Sequence, residues 1–84
     1  MERRLHIDIR SPVPSYRQLA NQLRDAITSG EIGPHEALPS LAQMVTETGL
    51  SMATVKRAVR VLADEGLVYS VSGRGRFAAP RDSG

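Results

Sequence analysis

The chain has 84 residues, 40% of them hydrophobic and 24% charged, which suits one small folded domain. It contains no cysteine, which excludes disulfides and cysteine-ligated metal sites, and no apolar run approaches the roughly 20 residues of a membrane helix. The net charge is +2, but residues 51–84 carry six Lys or Arg against three Asp or Glu, whereas residues 15–50 carry two against four, an asymmetry typical of polyanion binders.

The first fourteen residues alternate loosely between apolar and polar and then reach Pro12 and Pro14. Prolines interrupt strand pairing, so the pattern predicts a short extended arm, with a single edge strand as one form it could take.

A first helix is predicted from Ser15, whose spacing to Gln18 is that of a capping box. Apolar residues then follow at helical steps of three and four, and Gly30 supplies a stop. The stripe consists of Tyr16, Leu19, Ala20, Leu23, Ala26 and Ile27. This helix is expected to serve mainly as scaffold.

Two further helices are predicted on either side of a tight turn. Residues 31–39 hold three Gly or Pro residues and are expected to form a loop. Ser40 and Gln43 repeat the capping-box spacing at the start of a short second helix that ends at Gly49. Ser51 is a good N-cap for a third helix ending at Gly66, whose inward stripe is Val55, Ala58, Val59 and Leu62.

A β-hairpin is predicted after the third helix. Residues 67–71 are rich in β-branched and aromatic side chains, residues 72–75 contain two glycines, and residues 76–79 can return as the partner strand. The fold class is therefore mainly α with a small hairpin: a three-helix winged helix-turn-helix at residues 14–79, between an N-terminal arm (1–13) and a flexible tail (80–84).

This order of elements favours DNA binding, because the second helix of a helix-turn-helix can enter the major groove. We expect the recognition helix at 51–65 to read bases near its N-terminus, and the wing at 72–76 to reach the backbone or the minor groove. The candidate DNA-binding residues are Ser40, Ser51, Met52, Ala53, Thr54, Lys56, Arg57, Arg60, Gly73, Arg74 and Arg76. A solvated helix face and a charged hairpin tip are the alternative interpretations.

An ordered set of short segments resembles the N-terminal winged-helix domain of the GntR family of bacterial transcription regulators. The segments are Pro14–Ala20, Ile27–Ile32, Leu38–Ser40, Gly49–Ser51, Thr54–Ala58, Leu62–Val68 and Gly73–Phe77. The resemblance implies a cytoplasmic bacterial repressor that binds a palindromic double-stranded operator as a homodimer.

The chain departs from the family pattern at several positions. Leu41 and Ala42 stand where the family usually has Glu-Arg, and Met52 stands where it usually has arginine. Lys56 replaces a common arginine, and Ser72 precedes the wing glycine in place of a larger polar residue. The family's usual operator should therefore not be carried over, and no effector site is evident.

Other classes of function are less well supported. His6 and His35 are far apart in sequence with no ligand cluster around them, so neither a metal nor a cofactor is expected. No Ser/His/Asp set has supporting context, so the chain is not expected to be an enzyme. The main alternative is a winged-helix module that binds protein, since a fold does not determine a function. The chain could also be the DNA-binding part of a longer regulator.

Overall fold

The computed structural model describes residues 5–80, in which three helices precede a two-stranded hairpin. The elements are α1 (Ser15–Thr28), α2 (Leu41–Thr48), α3 (Met52–Asp64), β1 (Val68–Val71) and β2 (Gly75–Ala78). The mainly α architecture with a small hairpin is confirmed. The start of the predicted arm (1–4) and four of the five residues of the predicted tail (81–84) lie outside the described residues.

The core is aliphatic and lies mainly between α1 and α3. Its largest fully buried side chains are Leu19 and Leu23 of α1, Met44 of α2, and Val55 and Leu62 of α3. Each such burial contributes about 1.5–3 kcal/mol relative to exposure. These contacts fix the rotation of α3, and therefore which of its residues face outward.

The start of α1 differs from the predicted capping box. Pro14, not Ser15, is the N-cap, and among residues 5–80 no side chain caps this end. Pro14 suits the position because its φ of −56° lies in the range that the proline ring fixes, and its carbonyl oxygen accepts hydrogen bonds from the N–H groups of Arg17 and Gln18 at 3.0 Å. The prediction was wrong because the Gln18 side chain has partners outside the helix.

Those partners belong to the arm, where the structure shows no β-strand in residues 5–13. The Gln18 amide accepts from the Asp8 N–H and donates to the Asp8 carbonyl, both at 2.9 Å, and also donates to the Val13 carbonyl at 2.8 Å. Gln22, one turn later, pairs in the same two-way fashion with the backbone of His6. Two glutamine side chains thus supply the pairing that a neighbouring strand would give, and Leu5 enters the core at 6% exposure.

The predicted loop before α2 also pairs with the hairpin. Ala37 forms an isolated antiparallel bridge with Phe77 of β2. The His35 N–H donates to the Ala78 carbonyl at 2.8 Å, and the Leu38 N–H donates to the Arg76 carbonyl at 2.9 Å. The outer edge of β2 is therefore partly covered, which ties the wing to the chain segment that leads into α2.

An ion pair joins α1 to the end of α3. The Arg24 guanidinium donates to both carboxylate oxygens of Glu65, the C-cap residue of α3, at 2.8 and 2.7 Å. The hydrogen bond from Arg24 holds the pKa of the Glu65 carboxyl below its usual value. The two side chains are 29% and 39% exposed, so the pair is screened by solvent.

We expect Glu65→Gln to lower the free energy of unfolding at pH 7 by roughly 0.5–1 kcal/mol, the scale of a well-aligned surface pair. Because the pKa of Glu65 is lower in the folded state, this stabilisation is present above the unfolded value of about 4.3 and disappears as the pH falls through the folded value. Urea denaturation at pH 7 and at pH 3 measures the difference.

The matched control is Asp64→Asn, which removes the neighbouring exposed carboxylate of α3. It should leave the stability unchanged or slightly raised, since a negative charge near a helix C-terminus is unfavourable. A Glu65→Gln deficit of equal size at both pH values would contradict the assignment.

Candidate nucleic-acid interface

Three residues connect α2 to α3 and set the angle between the two helices. Gly49 has a φ of +74°, the left-handed region that favours glycine, and its N–H donates to the Val45 carbonyl at 2.9 Å. Leu50 is half-buried and packs against the core. Ser51 then caps α3. The predicted tight turn of a helix-turn-helix is confirmed in position and in its glycine.

The outward face of α3 is the one predicted from the helical stripe. Its exposed residues through the first three turns are Ser51, Met52, Ala53, Lys56, Arg57 and Arg60. Met52 is 41% exposed and is the one large apolar side chain of α3 that is exposed. The only acid within α3 is Asp64, in its last turn, so the first three turns present cations without carboxylates.

Ser51 and Thr54 are linked to each other at the start of this face. The Ser51 hydroxyl oxygen accepts from the Thr54 N–H at 3.1 Å, and the two hydroxyl oxygens lie 2.8 Å apart. Thr54 is half-buried. The cap is therefore confirmed, and each hydroxyl retains capacity for at least one further partner.

Arg57 lies against α1, a contact that the sequence did not predict. Its guanidinium carbon is 3.9 Å from the centre of the Tyr16 ring, a cation–π contact. Arg17, the next residue of α1, donates to the Tyr16 hydroxyl at 3.4 Å. This hydrogen bond, the positive charge of Arg17 and then that of Arg57 lower the pKa of the Tyr16 phenol.

The helical spacing of apolar residues predicted Tyr16 in the buried stripe of α1 and indicated no role for Arg17. Tyr16 is in fact half-buried, with its ring packed against the core and its polar end outside. The hydroxyl of Tyr16 could have indicated that this residue is only partly buried, since tyrosine tends to keep its O–H at a polar boundary. Tyr16 and Arg57 are 41 positions apart in the sequence, so the spacing of residues within a helix could not predict their contact.

The wing places its charged residues on a three-residue turn and the strand after it. The register pairs Val71 with Gly75 and Ser70 with Arg76, so the turn is residues 72–74. Gly73 has a φ of +77°, and the Arg74 N–H donates to the Val71 carbonyl at 2.9 Å. Arg74 is exposed and Arg76 is half-buried. Gly73 therefore serves the geometry of the turn, as predicted for a glycine at this place in the hairpin.

The wing residues meet one of the predicted helix residues. Arg74, Gly75 and Arg76 line a depression together with Ser40 and Leu41 at the start of α2. The Ser40 hydroxyl accepts from the Gln43 N–H at 3.0 Å, which confirms half of the second capping box. The Gln43 side chain donates to Glu47 instead of returning to Ser40.

Aromatic contacts hold the wing in place. Tyr69 and Phe77, opposite each other in the hairpin, stack with ring centres 5.7 Å apart. The Tyr69 hydroxyl lies 2.8 Å from Nδ1 of His35, which the sequence left without a role.

Within residues 5–80, no three His, Asp or Glu side chains cluster as metal ligands.

The tight turn, the outward cationic helix and the hairpin together define a winged helix-turn-helix. The family model for the bacterial regulatory proteins of the gntR family matches residues 15–77. The chain belongs to the GntR family.

Solved structures share this fold at close superposition. YtrA from Sulfolobus acidocaldarius, described as a GntR-family transcription factor, has a TM-score of 0.85 and 32% identity, covering 95% of this chain and 84% of that one. The AraR DNA-binding domain in complex with operator ORX1 has a TM-score of 0.83 and 29% identity, covering 93% of this chain and all of that one. The winged helix-turn-helix prediction is confirmed.

Curated relatives are longer than this chain. The transcriptional repressor NagR of Bacillus subtilis is 39% identical over 75 residues, which are 89% of this chain and 31% of NagR. The histidine utilization repressor of Klebsiella aerogenes is 39% identical over 69 residues, 82% of this chain and 29% of the repressor. The chain thus spans less than a third of each. In the part of the chain that the structure describes, no helix has the length and apolarity to cross a membrane.

We expect Ser51→Ala to reduce the free energy of unfolding by about 1 kcal/mol, because it leaves the Thr54 N–H without its cap acceptor. Ser51→Asp is the matched variant, since its carboxylate can accept the same hydrogen bond. Thermal or urea unfolding checks both. If alanine and aspartate were equally stable, the cap would not be the source of the loss.

Proposed function

We propose that this chain is a sequence-specific, double-stranded-DNA-binding domain of a transcription regulator, with α3 in the major groove. The observation that carries the proposal is the outward face of α3, which carries Lys56, Arg57 and Arg60 and an exposed Met52. A helix of this kind fits the major groove of B-DNA in width. The likeness to the AraR DNA-binding domain, which was solved in complex with an operator, supports DNA binding.

Each part of the surface has a proposed task. Met52 and Ala53 lie in the first turn of α3, where side chains reach base edges, and both can pack on thymine methyl groups. Ser51 and Thr54 add hydroxyls beside them. Lys56, Arg57 and Arg60 lie further along and are assigned to backbone phosphates, which fix the position of the helix without reading sequence.

The wing and the start of α2 complete this surface. Arg74 and Arg76 share a depression with Ser40, so a single strand of DNA could contact both elements. Gly73 allows the tip to approach the backbone or the minor groove closely, since it has no side chain. These wing contacts are proposed to add affinity, and α3 to supply most of the discrimination between sequences.

The biological role is proposed by analogy with the relatives. NagR and the histidine utilization repressor are named as repressors, and we infer that this chain serves repression in the bacterial cytoplasm. Binding as a homodimer to a palindromic operator would match two copies of α3 to two half-sites one helical turn apart. No part of the proposed task is catalytic.

A protein-binding module is the second candidate, and Met52 is the observation that favours it. An apolar side chain 41% exposed, in the helical turn where the family usually has arginine, could contact protein instead of bases. The two functions differ in salt dependence. If about five or six phosphates are contacted, the slope of log affinity against log salt concentration should be roughly −4 to −6.

The deciding experiment is selection from a random double-stranded DNA library at a stated salt concentration, followed by a salt series on the selected site. An enriched motif with a steep negative slope supports DNA recognition. Absence of DNA binding at low salt, or binding without salt dependence, would reject it in favour of the protein-binding alternative. Two copies of the motif in opposite orientation would support a dimer.

We expect Lys56→Ala combined with Arg60→Ala to weaken binding at least tenfold on all sequences and to make the salt slope shallower by about 2, one for each lost phosphate contact. The exchange Lys56→Arg with Arg60→Lys keeps both charges and should retain the slope. Titration of labelled DNA at several salt concentrations measures both quantities. Unchanged affinity in the double alanine variant would remove this face of α3 from the interface.

We expect Met52→Arg to change which DNA sequences are selected, because arginine can donate two hydrogen bonds to guanine, a contact worth about 1–3 kcal/mol of discrimination. Met52→Leu is the control and should retain the wild-type motif. Parallel library selections compare the three proteins. Identical motifs for all three would show that residue 52 does not face the bases.

A further inference from the structure

Tyr16 lies between two arginines at the junction of α1 and α3. Arg57 of α3 covers its ring at 3.9 Å, and Arg17 of α1 donates to its hydroxyl at 3.4 Å. Within residues 5–80, neither guanidinium is within 4.0 Å of a carboxylate oxygen. Two cations therefore meet at one phenol with no carboxylate in direct contact; the charge of Arg17 acts only at longer range on Glu65, whose ion-pair partner is Arg24.

The hydrogen-bond directions at Tyr16 leave room for such an anion. The phenol oxygen accepts from Arg17, so its own proton is available to donate elsewhere. The guanidinium of Arg17 has five N–H donors, more than this one contact uses. An anionic oxygen near the phenol would receive charge-assisted hydrogen bonds from both groups.

The hydrogen bond from Arg17, followed by the positive charges of Arg17 and Arg57, lowers the pKa of the Tyr16 phenol. A positive potential that favours the phenolate also favours any other negative oxygen placed nearby. Arg57 extends this potential to the outward face of α3, one helical turn beyond Ala53.

We propose that Tyr16, Arg17 and Arg57 together bind one backbone phosphate of the DNA, with the Tyr16 hydroxyl and Arg17 donating to its oxygens and the Tyr16 ring orienting Arg57. This inference rests on the proposed DNA-binding function and extends the interface to α1, which sequence analysis treated as scaffold. The contact positions the domain on the duplex without reading sequence.

The first test uses three variants on the selected DNA site. Arg17→Ala should weaken binding at least about tenfold, as for loss of a hydrogen bond to a charged group, and make the salt slope shallower by about 1. Tyr16→Phe keeps the ring over which Arg57 packs and removes only the hydroxyl, so it should weaken binding about threefold with the slope unchanged. Urea unfolding confirms that each variant is folded.

Thr28→Glu is the matched control. It lowers the net charge by one, as Arg17→Ala does, but at the other end of α1, about 16 Å away along the helix. It should weaken binding less than twofold. If Arg17→Ala weakened binding no more than Thr28→Glu, the effect would be one of net charge and the proposed site would be wrong.

The second test locates the phosphate. Single neutral methylphosphonates are placed in turn along the selected DNA, and the loss of affinity at each position is measured for wild type, Arg17→Ala and Tyr16→Phe. One position per half-site should lose its effect in the variants, as expected of a direct contact in a double-mutant cycle.

The same profile in all three proteins would overturn the phosphate site while leaving DNA binding intact. A wild-type protein that binds no DNA would overturn both proposals.

Discussion

The packing of α1 against α3 is the constraint on which the rest of the molecule depends. Leu19 and Leu23 bury against the same core as Val55 and Leu62, which occupy one side of α3. With that side committed, the opposite side can only face outward. The exposed cations and Met52 are thus a consequence of where the aliphatic stripe falls. The same packing brings the first turn of α1 to the flank of α3, where Tyr16 meets Arg57.

Much of the fold could be predicted because its signals are local. Helical steps of apolar residues define which face of α3 is buried, and Gly49 and Ser51 define the turn before it by backbone conformation and capping. The hairpin follows from β-branched residues around a glycine turn. The exposed cations of the candidate site could be predicted for the same reason, since they lie on the face of α3 opposite the buried stripe.

The remaining features depend on contacts between distant segments, which local pattern does not encode. Gln18 has the spacing of a capping residue, yet its amide pairs with Asp8 and Val13 because the arm folds back over α1. The loop before α2 pairs with β2 because the hairpin offers an unpaired edge there. In each case a polar group satisfied its hydrogen bonds with a partner that only the tertiary structure brings near.

The attachment of the arm has a consequence for how its sequence can vary. Gln18 and Gln22 contact Asp8 and His6 through main-chain atoms and not through their side chains, and Gln18 also binds the Val13 carbonyl. Any residue other than proline presents the same N–H and carbonyl, so substitutions at 6 keep these bonds, whereas shortening either glutamine removes them. At 8 a substitution also removes the carboxylate that accepts from the Arg10 N–H at 2.9 Å. Amides also carry no charge at any physiological pH. The hydrogen bonds of the two glutamines to the arm should therefore change little with pH or salt concentration. The proposed contacts with DNA, in contrast, should weaken as the salt concentration rises.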